Sequence, residues 1–295
     1  VALYLNQAFS GLGYGSILLL AALGLALTFG QMGVINMAHG EFLLAGAYTG
    51  HVLLDTMHNA NVAFVISIPV AFLVSGLIGL LLETVLISRL YHRPLDTLLI
   101  TFGVSLVLQQ LYRDLFTPQL VPTPRPTWLG GNWSFGDVLI KHNEFFIVVF
   151  ALFLVVGLAL VLKLTPLGRR IRATVQNRDL AESLGISTRA TDKLTFFLGS
   201  GLAGMGGVCL SLIAGTNPTT GTGYIVYAFV IVIVGGIGNV WGTVIAAFGF
   251  GLAQKLLGLE FSNDATATVL VFVAIVVFLQ FRPQGIFTVR TRSLA

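Results

Sequence analysis

The stretch GQMGVINMAHGEFLLAGAYTG, Gly30 to Gly50, sets Asn36, His39 and Glu41 between two apolar runs. An imidazole two residues from a carboxylate can relay a proton, supply a base and an acid to a reaction, or hydrogen-bond a polar solute. A structural reading stands beside these: Glu41 caps the helix that follows, its carboxylate on free N–H groups at the positive dipole end, with His39 at the interface. A metal or catalytic centre would need further ligands on the same side. His51, His58, His92 and His142 instead scatter over different loops, and no HExxH spacing occurs.

A second polar set lies in LITFGVSLVLQQLYRDLF. Thr101, Ser105 and Gln109 recur at i, i+4 and i+8, on one face of a helix, with Gln110 beside them. Their hydroxyl and amide groups either bond across helices or line a path for a neutral polar solute. Asn239, in GGIGNVWG, completes a candidate interior of Asn36, His39, Glu41, Thr101, Ser105, Gln109 and Asn239. Cys209, the single cysteine, falls in an apolar helix, where it fits packing and shows no sign of a metal site.

The elements that must hold these residues are membrane helices. Of the residues 56% are hydrophobic and 9% charged, and the apolar runs are too long and too continuous for the alternating strands of a transmembrane barrel. The reading is an all-α polytopic membrane protein, one transmembrane domain over residues 1–295, with about eight to ten spans, some broken or short. Spans are placed at Ala8–Phe29, Glu41–Leu54, Asn61–Ile87, Leu95–Phe116, Glu144–Leu162, Lys193–Ala214, Tyr224–Gly235, Asn239–Leu257 and Ala265–Phe281. The run from Val1 lacks a basic start and a small-residue cleavage pattern, so it is read as the first helix. The net charge of +4 sits in short loops, which orientation explains without a nucleic-acid partner.

Arg89 and Arg93, the stretch Lys163 to Lys193, and Arg282, Arg290 and Arg292 mark the cytoplasmic side, the C-terminus included. Residues 117–142, containing TPQLVPTPRPTWLGGNW, then form an external hairpin or cap with Trp128 and Trp133 in the headgroup zone. GTNPTTGTG, Gly215 to Gly223, is also external, so the chain from Tyr224 to Leu257 must break at Gly235–Gly242 and turn back from the cytoplasm. That break and the one after Gly30 share one grammar, and two such interruptions point to a transport path between pseudo-related halves. The loop 163–193 holds one short helix, Asn177 to Leu184, bounded by Gly185. Asp179 and Glu182 share its face and Arg178 and Arg189 flank it, which fits docking of a cytoplasmic partner.

At this loop the sequence closely resembles the permeases of ABC importers for branched-chain amino acids and urea. The resemblance covers nearly the whole chain through GVINMAHGE (Gly33–Glu41), NRDLAESLGI (Asn177–Ile186), GGIGNVWGT (Gly235–Thr243) and RPQGIF (Arg282–Phe287). It implies a type II-like importer fold in the bacterial inner membrane, with Asn177, Arg178, Asp179, Glu182 and Gly185 in a coupling helix seated on an ATPase. It also implies a second permease subunit, homologous or identical, two cytoplasmic ATPases that bind ATP and Mg, and a periplasmic or lipid-anchored binding protein. No cofactor is expected in this chain, which carries no GxxxxGK[ST] phosphate loop. Met37 and the Gln109–Gln110 pair look like the urea branch, whereas Phe102 replaces the Trp that urea members often show. Urea import by alternating access is the expected activity, with branched-chain amino acid import as the alternative and an ATP-independent urea channel or a proton-coupled carrier ranked after it.

Overall fold

The computed structural model describes residues 2–91, 93–116, 119–120, 123 and 125–287. His92, Thr117, Arg290 and Arg292, which the sequence reading used, lie outside the described residues. The helices are α1 (Ala2–Met32), α2 (His39–Thr56), α3 (Ala60–Val85), α4 (Pro94–Leu115), α5 (His142–Leu164), α6 (Pro166–Gln176), α7 (Arg178–Ser183), α8 (Thr188–Ser211), α9 (Thr220–Gly235), α10 (Val240–Phe261) and α11 (Asp264–Phe281). One antiparallel hairpin, β1 (Asn132–Phe135) and β2 (Val138–Lys141), pairs Asn132 with Lys141 and Phe135 with Val138. Among the described residues seven helices are long and apolar enough to cross a membrane: α1, α3, α4, α5, α8, α10 and α11. With the more polar α2 and the shorter α9 they make the all-α polytopic fold expected from the sequence.

α1 is the axis of the bundle. Residues Gly15 to Thr28 are buried on every side, as a helix apolar around its whole circumference must be. It packs on α10, α8, α9 and α5, while α8 packs on α3 and α2. Small residues let these backbones approach closely. A Cβ on Gly15 would lie 2.9 Å from the Ala247 carbonyl oxygen of α10, too close for any side chain. α4, α5 and α11 stay at the periphery and keep large apolar side chains such as Leu99, Phe153 and Val276 exposed.

Two ends of the bundle can be told apart. At one, Asn6 of α1 donates to the Asp137 carbonyl and accepts from the Leu139 N–H of the hairpin, while Tyr4 donates to Glu260 at 2.6 Å. This is the hairpin face. Trp128 and Trp133, half exposed, pack there on Phe146 and Phe145. The other end carries α6, α7 and their arginines, and is the basic face. The loop between α5 and α8 departs from the sequence reading here, since it holds two helices. Thr165 caps α6, accepting from Gly168 N–H, and Pro166 opens it, a start signal that a reading focused on Asn177 passed over.

The depth of α2 is the main finding. Its first residue, His39, places Nε2 3.3 Å from the Ala21 carbonyl oxygen, eleven residues before the end of α1, or about 16 Å into the bundle. Residues 33–38 therefore climb back from the basic face and α2 begins near mid-depth. α9 begins at the same level, since a Cβ on Gly221 would lie 2.5 Å from the Gly40 carbonyl oxygen. The chain reaches that point by descending from the hairpin face after α8. GTNPTTGTG is thus not a purely external loop, because its second half forms the first turn of α9. The break at Gly235–Gly242 is real, yet it is a tight turn at the basic face, with Gly236 at φ +100° and Gly238 at φ +80°. The counterpart of residues 33–38 is the stretch 212–219, of opposite direction, and not that turn.

The Gly40–Gly221 approach makes a quantitative expectation. Gly221→Leu should lower the folded yield and destabilise the chain by about 1–3 kcal/mol or more through overpacking. Gly249→Leu, at an exposed position with open space around its α carbon, should be neutral. Thermal unfolding in detergent, followed by size exclusion, reads both.

Candidate functional site

Where α2 and α9 start, a polar cluster closes around Glu41. Its carboxylate is fully buried, with Oε1 accepting from Ser105 Oγ at 2.8 Å and Gln109 Nε2 at 3.1 Å. Gln109 Nε2 also reaches Thr222 Oγ1 at 2.8 Å, so one amide bridges α2, α4 and α9. The Tyr112 hydroxyl donates to the Glu41 carbonyl at 3.1 Å. The expected face of α4 is therefore assembled: Thr101 completes it, accepting from Met37 N–H at 3.0 Å.

The structure overturns the capping role of Glu41. The N-cap position of α2 is Ala38, which makes no side-chain cap, and its own N–H, just before the first turn, is bonded to Asn36 Oδ1 at 3.0 Å. Glu41 stands in the first turn, where the dipole favours it, but its carboxylate points across to α4. His39 is not interfacial either. It is buried, its Nε2 on Ala21 and its ring edge-on to Phe42 at 5.7 Å. Asn239 does not join the cluster; at the basic-face turn it caps α10, accepting from Gly242 N–H at 3.0 Å.

Several polar atoms of the cluster lack a protein partner among the described residues. They are Glu41 Oε2, Asn36 Nδ2, His39 Nδ1 and the Tyr48 hydroxyl. Glu41 has no salt-bridge partner among the described residues. An unpaired lone pair beside a buried carboxylate is costly and can be relieved by a ligand that brings N–H donors. No group of three or more potential metal ligands occurs among the described residues.

Sequence reasoning missed Tyr112 and Thr222. Tyr112 follows Gln109 by three residues and so continues the same helical face, a signal that was available. Thr222 was hidden by the reading of its segment as external loop.

The second cluster is at the basic face. Asn177 caps α7, accepting from Leu180 N–H at 2.9 Å, and Gly185 at φ +82° ends it with Ile186 N–H on the Ala181 carbonyl, a Schellman closure. Asp179, Leu180 and Leu184 are exposed. Glu182 is committed within the chain, bonded to Thr188 and near Arg178. An open concavity of about 460 Å³ lies beside α7, lined by Glu182, Gly185, Ile186, Ser187, Thr188 and Arg189. Arg178 turns inward, its guanidinium 5.1 Å from the Tyr91 ring. Burial, reinforced by the neighbouring Asp192 and Glu83 carboxylates, holds the Tyr91 hydroxyl protonated far above the usual phenol range.

With this geometry in place, comparison with known proteins is decisive for the family. Residues 7–279 match the model of the permease component of branched-chain amino acid transport systems. The chain belongs to this family. It is 29% identical to the high-affinity branched-chain amino acid transport system permease protein BraD of Pseudomonas aeruginosa, over 96% of this chain and 95% of that protein. It is 29% identical to the probable branched-chain amino acid transport permease protein LivH of Methanocaldococcus jannaschii, over 83% and 78%. The permease protein LivM of Escherichia coli matches at 27%, over 92% of this chain and 67% of its own length. No solved structure matches. The chain is a multi-pass permease subunit of an ABC importer, not an enzyme.

The hydrogen bonds around Glu41 make the site testable as structure. Glu41→Ala removes the acceptor of the Ser105 hydroxyl and one of those of Gln109, which keeps Thr222, and should cost about 1–3 kcal/mol. Glu41→Gln keeps an acceptor for both and should cost less. Thermal unfolding of the purified chain separates the two.

Proposed function

We propose that this permease carries a branched-chain amino acid, with Asn36, His39, Glu41, Thr101, Ser105 and Gln109 along its path. The observation that carries the reading is the buried Glu41 carboxylate, which has one oxygen free and no cation at the meeting point of two helix N-termini. An α-ammonium group complements the carboxylate, and an α-carboxylate is favoured at the positive ends of α2 and α9. The names of the relatives agree in class. Urea is the second reading: its N–H donors also suit Glu41, and the neutral hydroxyl and amide face of α4 favours it. The sequence reading put urea first, and the relatives' names reverse that order. A proton relay through His39 and Glu41 is not needed for an ATP-driven importer.

The remaining parts of the importer follow from the two faces. The basic face lies in the cytoplasm by its arginines and lysines, Arg282 of the tail region included. α7 seats on one of two ATPase subunits, which bind ATP and Mg and hydrolyse ATP, through Asp179, Leu180 and Leu184. The hairpin face receives the external binding protein. A second permease subunit, of the same or a related sequence, packs beside this one in the bacterial inner membrane. ATP-driven closure of the ATPases pushes on α7, and the interrupted helices α2 and α9 open the mid-membrane cluster to one side and then the other.

Uptake of labelled leucine and urea at micromolar concentration, in cells expressing the chain with its ATPases and binding protein, tests the substrate. Leucine accumulation that ATP depletion abolishes and excess urea leaves untouched is expected. Urea accumulation insensitive to leucine would move the assignment to urea, and ATP-independent equilibration would remove the importer reading. Leu184→Glu, on a side chain 73% exposed, should reduce uptake by about tenfold or more while insertion is unchanged, because a charge at an interface core is strongly penalised.

A further inference from the structure

The basic face contains a buried carboxylate that neither the substrate path nor ATPase docking uses. Asp192, the fifth residue of α8, has no exposed surface. Its Oδ2 accepts from Arg178 NH2 at 2.5 Å and its Oδ1 from Gln31 Nε2 at 2.7 Å. Arg178 is the first residue of α7. Gln31 is the penultimate residue of α1, two positions before Gly33, whose φ of +65° opens the climb to α2.

We infer that Asp192 is the joint through which a displacement of α7 reaches the break after α1, a positioning residue for transport. This rests on the importer reading above. One carboxylate spends one oxygen on each of two elements, so moving either changes the geometry at the other. The groups around it hold Arg178 on a defined track. Tyr91 stacks under the guanidinium and itself donates to Glu83 of α3 at 2.7 Å, while Thr188 Oγ1 accepts from Arg178 NH2 at 3.2 Å. On the far side, Gln31 stands at the hinge end of a rigid, fully packed helix, and the six residues that follow lead directly to Asn36, His39 and Glu41. A charged residue placed only to hold α8 against α1 would not need its second oxygen on the short helix at the membrane surface. Buried ion pairs of this kind contribute little net stability and act through the register they impose.

The test uses the assembled importer with both ATPases and the binding protein in proteoliposomes, and reads solute moved per ATP hydrolysed. Wild type is measured first: transport without ATP overturns the importer reading, and the joint with it, before any variant is made. With wild type coupled, Asp192→Asn and Gln31→Ala should leave hydrolysis within about twofold while lowering solute per ATP by about tenfold, a coupling loss of ordinary size for linked sites. Arg178→Lys, which keeps the cation, should retain most of the coupling. A purely structural role would lower assembled complex, hydrolysis and transport together and leave their ratio unchanged. An unchanged ratio overturns the joint. Should Asp192→Asn fail to assemble, Gln31→Ala decides alone, since it removes one hydrogen bond from an uncharged donor at a half-buried position and leaves the Asp192–Arg178 pair in place.

Discussion

Starting a helix in the middle of a membrane is the constraint on which the rest of this structure depends. The backbone groups before the first turn have no water to meet, so every one of them needs a protein partner. Residues 33–38 solve this with side chains: Asn36 takes the Ala38 N–H, and Thr101 of α4 takes the Met37 N–H. Residues 212–219 solve it with Asn217, whose Oδ1 accepts from Thr219 N–H and from the Thr220 hydroxyl. The two starts then lie against each other at Gly40 and Gly221, where a side chain on either would collide with backbone. α4 contributes its polar face because the break requires it there, and α1 and α8 supply the close-packed floor.

Placing a carboxylate at this point is the costly step. Insertion scales put an ionised group near mid-membrane at roughly 3 kcal/mol, and hydrogen bonds to charged groups return about 1.5–3 kcal/mol each. Two such bonds, from Ser105 and Gln109, are of the right size to offset the insertion term without saturating the group. Glu41 keeps one oxygen unpaired. A carboxylate balanced in this way still gains from a donor that arrives, as the proposed substrate path requires. A full ion pair within the chain would have held Glu41 too well.

Much of this was legible in the sequence. Polytopic helices, the polar face at Thr101, Ser105 and Gln109, the helix from Asn177 to the Gly185 stop, and both glycine-rich interruptions follow from local rules of spacing, capping and hydropathy. What was not legible was depth. Composition assigns a stretch such as GTNPTTGTG to a loop, because threonine, asparagine and glycine are punctuation in water-exposed chain. The same residues open a helix inside the bundle when a neighbour's backbone comes within van der Waals reach, and no periodicity in one segment reports where another segment lies. The Glu41 error has the same origin. A carboxylate two residues after a helix start meets the local rule for a first-turn acid, and only the approach of α4 redirects it. Asn239 failed in reverse, since its cap is fully local and explains it without a path.

The two short helices also explain how a tightly packed bundle can move. α2 and α9 run in opposite senses from a common level, one toward the hairpin face and one toward the basic face. A full-length helix would have to slide against its neighbours along its whole seam, and a close-packed interior resists that. A helix that begins inside the bundle could instead tilt about its free start, with only the bonds at that start rearranging. Gln109 sits where both starts can be felt, bonded to Glu41 of α2 and Thr222 of α9 through one amide nitrogen. On the alternating access proposed above, opening either half would break one of these contacts and leave the amide to the other.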